Sequence, residues 1–117
     1  MTDTPTIGII MGDPAGIGPE ITLKALARPE VRDLCRPLII GEYDLLAGLN
    51  RTLRLGLGLS AGPAAVGAVP VVDTTPRGGA APIALGRVSA AAGHASLRAI
   101  RRAFELLQSL PAAEPAG

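Results

Sequence analysis

The sequence predicts an α/β fold, a parallel or mixed sheet with flanking helices. Two observations lead there. Short β-prone apolar runs alternate with segments of helical periodicity, and the chain between successive runs is long enough for crossovers rather than hairpins. A dense Gly-Pro loop, Gly12 to Pro19, joins the first run to the first helical segment, the junction at which such folds place ligand loops.

Thr6 to Met11 (TIGIIM) reads as a strand and Glu20 to Ala27 (EITLKALA) as a helix. Pro19 suits the first helical turn, where its missing N–H has no partner to lose, and Glu20 places an anion at the positive end of the helix dipole. Pro29 stops that helix. Glu30 to Cys35 forms a short helical turn, Pro37 opens a second strand at Leu38 to Ile40, and Gly41 ends it. Tyr43 to Leu55 carries Leu45, Leu46, Leu49 and Leu53 at helical spacing, with Arg51 and Arg54 on another face. Gly56 to Gly67 reads as a helix end and loop, and Val69 to Val72 as a third strand. Thr74 to Gly86 holds Pro76, Gly78, Gly79, Pro82 and Gly86, too many breakers for regular structure. Ser89 to Leu110 is the clearest helix: Ser89 suits the N-cap, and Leu97, Ile100, Phe104 and Leu107 form one apolar stripe. Arg98, Arg101, Arg102 and Glu105 take its other faces, with Arg101 and Glu105 spaced as an i, i+4 pair. Residues 1–110 are thus read as a partial α/β domain and 111–117 (PAAEPAG) as a frayed tail.

A length of 117 residues predicts one domain with a modest core. Hydrophobic residues make up 48% and aromatics 2%, so Tyr43 and Phe104 leave core building to aliphatics. The 11 Lys and Arg against 10 Asp and Glu leave a charge of +1, too little basic field to recruit nucleic acid. No apolar run is long enough to span a membrane, and no positive segment precedes the first one, which predicts a soluble, cytoplasmic protein. Cys35, the single cysteine, cannot form an internal disulfide and reads as a small buried apolar residue.

The loop Gly12 to Glu20 (GDPAGIGPE) is neither a P-loop, since residue 17 is Ile, nor a Rossmann fingerprint, since the third glycine would fall at Ile21. What remains is a backbone able to take positive φ at Gly12, Gly16 and Gly18 beside a helix N-terminus. Its amides either face an anion or cofactor or serve the turn alone, and Asp13 either meets a ligand or caps the loop's own N–H groups.

The string IGIIMGDPAGIGPEITLKAL, Ile7 to Leu26, resembles the opening of the 4-hydroxythreonine-4-phosphate dehydrogenase family, whose loop reads Gly-Asp/Glu-Pro-Ala-Gly-Ile-Gly-Pro. Pro37 to Gly41, Val69 to Asp73 and Gly86 to Leu107 follow in the family's order. The resemblance implies the N-terminal part of an isocitrate/isopropylmalate dehydrogenase-like fold and, for whole members, a homodimer. It further implies an oxidoreductase that uses NAD and a divalent metal to oxidise and decarboxylate a phosphorylated hydroxy acid. For the namesake, that step serves pyridoxine and pyridoxal phosphate biosynthesis. Gly86 to Gly93 (GRVSAAAG) looks closer to relatives acting on D-threonate or D-erythronate 4-phosphate, and both substrate classes stay open. By similarity to the isopropylmalate-type loop, Asp13, Gly16, Ile17 and Gly18 are the expected cofactor-binding residues.

Whole family members run far longer, continuing into Thr-Gly-Pro and Gly-His-Thr segments, and hold metal through three histidines. This chain has one histidine, His94, on the last helix, and that position matches none of them. No catalytic or metal-binding residue is therefore assigned, and Lys24 reads as a solvated charge. The first expectation is the N-terminal fragment of such an enzyme, inactive alone. The alternative is a standalone binding or assembly module that pairs with a separate remainder.

Overall fold

In the computed structural model, residues 4–62 and 65–109 are described. Their elements are β1 (Thr6–Ile10), α1 (Gly18–Leu26), α2 (Pro29–Leu34), β2 (Arg36–Gly41), α3 (Tyr43–Thr52), β3 (Leu59–Ala61), β4 (Val69–Asp73) and α4 (Ala90–Ser109). The four strands form one sheet in the order β1-β2-β4-β3, and every pairing is parallel. Register sets Ile7 beside Pro37, Ile39 beside Val71 and Leu59 beside Val69.

Two prolines lie inside these strands, where a missing N–H ordinarily breaks a ladder. The Arg36 amide donates to Pro5, so the Pro37 nitrogen is turned the other way, toward β4. That pairing begins only at Ile39. The Val69 amide donates to Gly58, which turns the Pro70 nitrogen toward β2, and that pairing begins only at Val71. Each proline stands one step before the ladder would have needed it.

Successive strand residues point to opposite faces. On one face Ile39, Val69 and Val71 pack with Leu23 and Leu26 of α1, Leu46 of α3, and Met11 and Leu57. This is the aliphatic core that the composition predicted. On the other face Ile40 is buried, and α4 packs on β1 and β2 through Ala92, Ala95 and Ala99. Small side chains let that helix sit close to the strands.

Three sequence expectations need correction. A short strand, β3, lies within 56–67, where only a helix end and loop were expected. Its three residues, LSA between glycines, have little strand propensity of their own, and the ladder to β4 recruits them. In α4 the predicted apolar stripe is not packed: Leu97, Ile100, Phe104 and Leu107 are 52–68% exposed. The stripe lies roughly 130° around the helix from the alanine face at ~100° per residue, so the two cannot share one contact. Finally, Glu105 pairs with Arg102 at 3.3 Å instead of Arg101, an exposed contact of little weight.

Other readings hold. Ser89 Oγ accepts from the Ala92 amide at 3.1 Å, capping α4, and 74–89 contains no helix or strand. Among the described residues no helix is long and apolar enough to cross a membrane. Leu110 and the predicted tail, 111–117, lie outside the described residues.

Candidate functional site

A parallel sheet gathers all its carboxyl ends along one edge. Here Met11 and Gly12 leave β1, Glu42 leaves β2 and Thr74 leaves β4. The glycine loop lies on this edge and is tightly built. Gly12 has φ +87°, a conformation that favours glycine. A Cβ on Gly18 would fall 2.7 Å from the Met11 carbonyl oxygen, so only glycine lets α1 begin this close to the end of β1. Gly16 has neither constraint, because a Cβ there meets Asp13 at an ordinary 3.6 Å. Positive φ, which all three loop glycines are able to take, is used at Gly12 alone. Gly18→Ala is expected to destabilise the fold by about 1–3 kcal/mol through overpacking, while Gly16→Ala stays near neutral. Urea denaturation of the two variants side by side checks this.

Asp13 Oδ1 accepts from the Ala15 amide at 2.9 Å and the Asp13 carbonyl accepts from Gly16 at 3.0 Å. Asp13 thus holds the turn together. Ile17 occupies the N-cap position of α1, makes no side-chain cap and is 72% exposed. The four sequence-predicted cofactor residues are consequently adjacent but unequal. Asp13 and Gly18 shape the loop, and Gly16 and Ile17 form its open surface.

The loop is tied to a second one. Gly86 donates to the Ala15 carbonyl at 2.7 Å, which brings 74–89 across the same edge. Beneath it lies an ion pair absent from the sequence reading. Glu42 Oε2 accepts from Arg98 Nη2 at 3.1 Å, with the Glu42 side chain 3% exposed and that of Arg98 34%. The Thr74 amide donates to the Gly41 carbonyl at 2.9 Å. Thr74 Oγ1 and Arg98 Nε are buried without a hydrogen-bond partner among the described residues. Both belong to residues bonded to Gly41 or Glu42, so the carboxyl edge holds unused polar capacity. A cavity of about 350 Å³ opens beside it, bounded by Glu42, Asp44 and Leu45 and by Thr75, Gly79 and Ile83. A wider hollow, about 680 Å³, lies at the amino ends of the strands among Thr6, Arg32, Cys35, Arg36 and Pro70. It is on the far edge from the glycine loop, and ligands of open α/β sheets bind at the carboxyl edge.

Asp73 joins β4 to α3. Burial pushes its carboxyl pKa up, but hydrogen bonds from Thr75 Oγ1 at 2.6 Å, the Tyr43 amide at 3.1 Å and the Thr75 amide at 3.0 Å outweigh this and hold it below the ordinary value. A carboxylate depressed in the folded state adds stability that is present above its unfolded pKa and lost as pH falls through the folded one. Asp73→Asn is therefore expected to lower stability at neutral pH and flatten its decline in acid. Thermal melts across pH 2–7 measure both effects.

Among the described residues no three His, Cys, Asp or Glu side chains converge on a metal-sized site. His94 is exposed on α4, Cys35 is buried with Sγ 3.6 Å from the Val31 carbonyl, and Lys24 is paired with Glu20 at 2.8 Å on the surface. A carboxylate directly after an apolar strand was the available signal for Glu42. Nothing in the sequence joins it to Arg98, 56 residues away.

No family model matches the chain. A Symbiobacterium thermophilum protein provisionally assigned as a D-threonate 4-phosphate dehydrogenase is 45% identical over 112 residues, covering 91% of this chain and 33% of that protein. The D-threonate 4-phosphate dehydrogenase of Cupriavidus necator is 40% identical over 110 residues, covering 87% of this chain and 32% of the relative. A crystal structure of a 4-hydroxythreonine-4-phosphate dehydrogenase from Burkholderia phymatum superposes with a TM-score of 0.79 at 34% identity, over 92% of this chain and 34% of that one. The chain spans about a third of the length of the relatives it matches. In sequence and in fold, it is homologous to an N-terminal portion of the 4-hydroxythreonine-4-phosphate dehydrogenase family, its D-threonate 4-phosphate relatives included.

Proposed function

We propose that this chain supplies the N-terminal, cofactor-facing part of an NAD-dependent, divalent-metal-assisted dehydrogenase that oxidises and decarboxylates a phosphorylated hydroxy acid. The observation behind this reading is the match to named dehydrogenases over nearly the whole chain, with the glycine loop standing at the sheet's carboxyl edge. Two relatives named for D-threonate 4-phosphate align over 91% and 87% of the chain at 45% and 40% identity, whereas two named for 4-hydroxythreonine 4-phosphate align over only 39% of it, at 59% and 60%, and this longer match makes D-threonate 4-phosphate the favoured substrate. A homodimeric, cytoplasmic enzyme fits the same reading.

NAD bound here would supply the hydride acceptor for oxidation of the substrate's carbinol carbon. The part played by this chain is binding. The uncapped start of α1 presents backbone N–H groups to polar cofactor atoms, and Gly16 and Ile17 leave that approach open. Asp13 and Gly18 keep the loop in shape. The residues described do not fit the divalent metal, so its ligands are assigned to the part of the relatives' length that this chain does not match.

A single-chain chimera tests the proposal, with this sequence replacing the corresponding third of the Cupriavidus necator enzyme. With a divalent metal and NAD it is expected to turn over D-threonate 4-phosphate faster than 4-hydroxythreonine 4-phosphate, whereas the 117-residue chain alone reduces no NAD. Ile17→Asp in the chimera is expected to raise the KM for NAD about tenfold, a loss of ~1.4 kcal/mol, without lowering the melting temperature. NAD reduction by the lone chain, or a folded chimera inert toward both substrates, overturns the reading.

A further inference from the structure

β2 and β4 are unzipped at their amino ends. Their ladder begins only at Ile39 and Val71, although the same register sets Pro37 opposite Val69 two residues earlier. The Val69 amide donates to Gly58 on the β3 side, so the Ala68 carbonyl, across the same trans peptide, points toward β2. The Arg36 amide donates to Pro5 on the β1 side, and by alternation the Pro37 carbonyl points toward β4. In a parallel ladder of this register, the Ala68 carbonyl would accept from residue 37 and the Pro37 carbonyl from residue 70. Both donors are missing, because both residues are proline. The hollow of about 680 Å³ opens at this gap, and its size falls within the ~300–1,000 Å³ usual for small-molecule sites.

The lining joins an apolar wall to a positive charge. Pro29, Leu38, Val69 and the two strand prolines supply the wall. Arg32 comes from the last turn of α2 and Arg36 from the first residue of β2. Arg32 Nη2 donates to the Gly67 carbonyl at 3.1 Å, which carries its guanidinium across toward β4 and uses only one of its several N–H donors. Among the described residues the Arg36 guanidinium and the Asp33 carboxylate have no hydrogen-bond partner. Two cations outweigh that one carboxylate. A pair of guanidiniums suits a phosphate monoester, which carries a charge of ~−2 and accepts bidentate bonds. The two backbone carbonyls and Asp33 only accept, so they select a ligand that also brings hydroxyl donors.

We propose that this hollow is a binding site for a phosphorylated polyol of sugar-phosphate size, with its phosphate on Arg32 and Arg36 and its hydroxyls on the Pro37 and Ala68 carbonyls. It is distinct from the candidate cofactor site, since it lies at the amino ends of the strands and the glycine loop stands at the carboxyl ends. It takes nothing from the dehydrogenase reading.

Calorimetric titration with ribose 5-phosphate, inorganic phosphate and ribose tests the site, both in the 117-residue chain and in the chimera with the Cupriavidus necator enzyme. Ribose 5-phosphate is expected to bind once per chain, at least tenfold more tightly than inorganic phosphate or ribose. Saturating NAD should leave that affinity unchanged. Arg36→Gln, at an exposed position, should weaken binding at least tenfold while circular dichroism and melting temperature stay the same. Pro70→Val restores the donor that the Pro37 carbonyl lacks and lets the ladder close over the hollow. Binding should again fall at least tenfold, in a chain that remains folded. Four results would each overturn the proposal: no preference for ribose 5-phosphate, binding that survives Arg36→Gln, displacement by NAD, or a chimera that does not bind because the rest of the fold fills the hollow. Where chain and chimera differ, the chimera decides. Dehydrogenase activity is not read, so an inert chimera that binds ribose 5-phosphate rejects the functional reading and leaves this site standing.

Discussion

Leu23→Ala is expected to destabilise the fold by about 2–5 kcal/mol, the range for deleting a large aliphatic side chain from a packed site. Leu23 is fully buried on α1, within the cluster that also takes Leu26, Ile39, Leu46 and Val71. With Trp absent and aromatics at 2%, no large ring stands ready to fill the gap. Small domains are stable by only ~5–15 kcal/mol, so a substantial share of the total is at stake. The change should lower the urea midpoint with little change in slope. It also reaches the candidate site. α1 carries the glycine loop at its start, and loosening the helix should speed hydrogen exchange at Ala15 and Gly16. Unchanged exchange there would separate the loop's order from the helix's packing.

Arg98→Ala is expected to be the most damaging change outside the core. It leaves the Glu42 carboxylate, 3% exposed, without its cation. Breaking a buried pair by removing one partner typically destabilises by 3–5 kcal/mol; because Arg98 keeps a third of its side chain in solvent, about 2–3 kcal/mol is expected here. Removing both charges, in Glu42→Gln with Arg98→Met, should recover much of the loss, since the damage comes from the stranded charge. A double-mutant cycle by thermal or urea unfolding measures the coupling. An effect below ~0.5 kcal/mol would mean that Glu42 is solvated in practice, as exposed pairs are.

The legible parts of the sequence were those set by local chemistry. TIGIIM, the Pro19-Glu20 helix start, the leucine spacing in 43–55, the breaker-rich 74–86 and the Ser89 cap each declare themselves within a few residues. β3 does not, because Leu59–Ala61 becomes a strand only by lying beside β4. The α4 stripe misled for a different reason. Periodicity reports that a helix has an apolar face, and Ala92, Ala95 and Ala99 supply a second, weaker one that the sheet selected for close approach. At the candidate site the glycine loop was readable, but the division of labour within it was not. That Gly18 is fixed by the Met11 carbonyl while Gly16 is free depends on distances between backbones. The Glu42–Arg98 pair depends on a helix returning across the sheet.

The placement of Pro37 and Pro70 has a consequence for how the strands find one another. Sliding β2 by one residue against β1 would swing the Pro37 ring onto the paired side, strand a β1 carbonyl without a donor, and throw Ile39 out of the core cluster. The same slip at β4 would turn Pro70 against Gly58. Neither residue strengthens the native alignment. Each acts as a stop against the neighbouring frames, so a nascent sheet meets its mistakes as missing bonds before side-chain packing can entrench them.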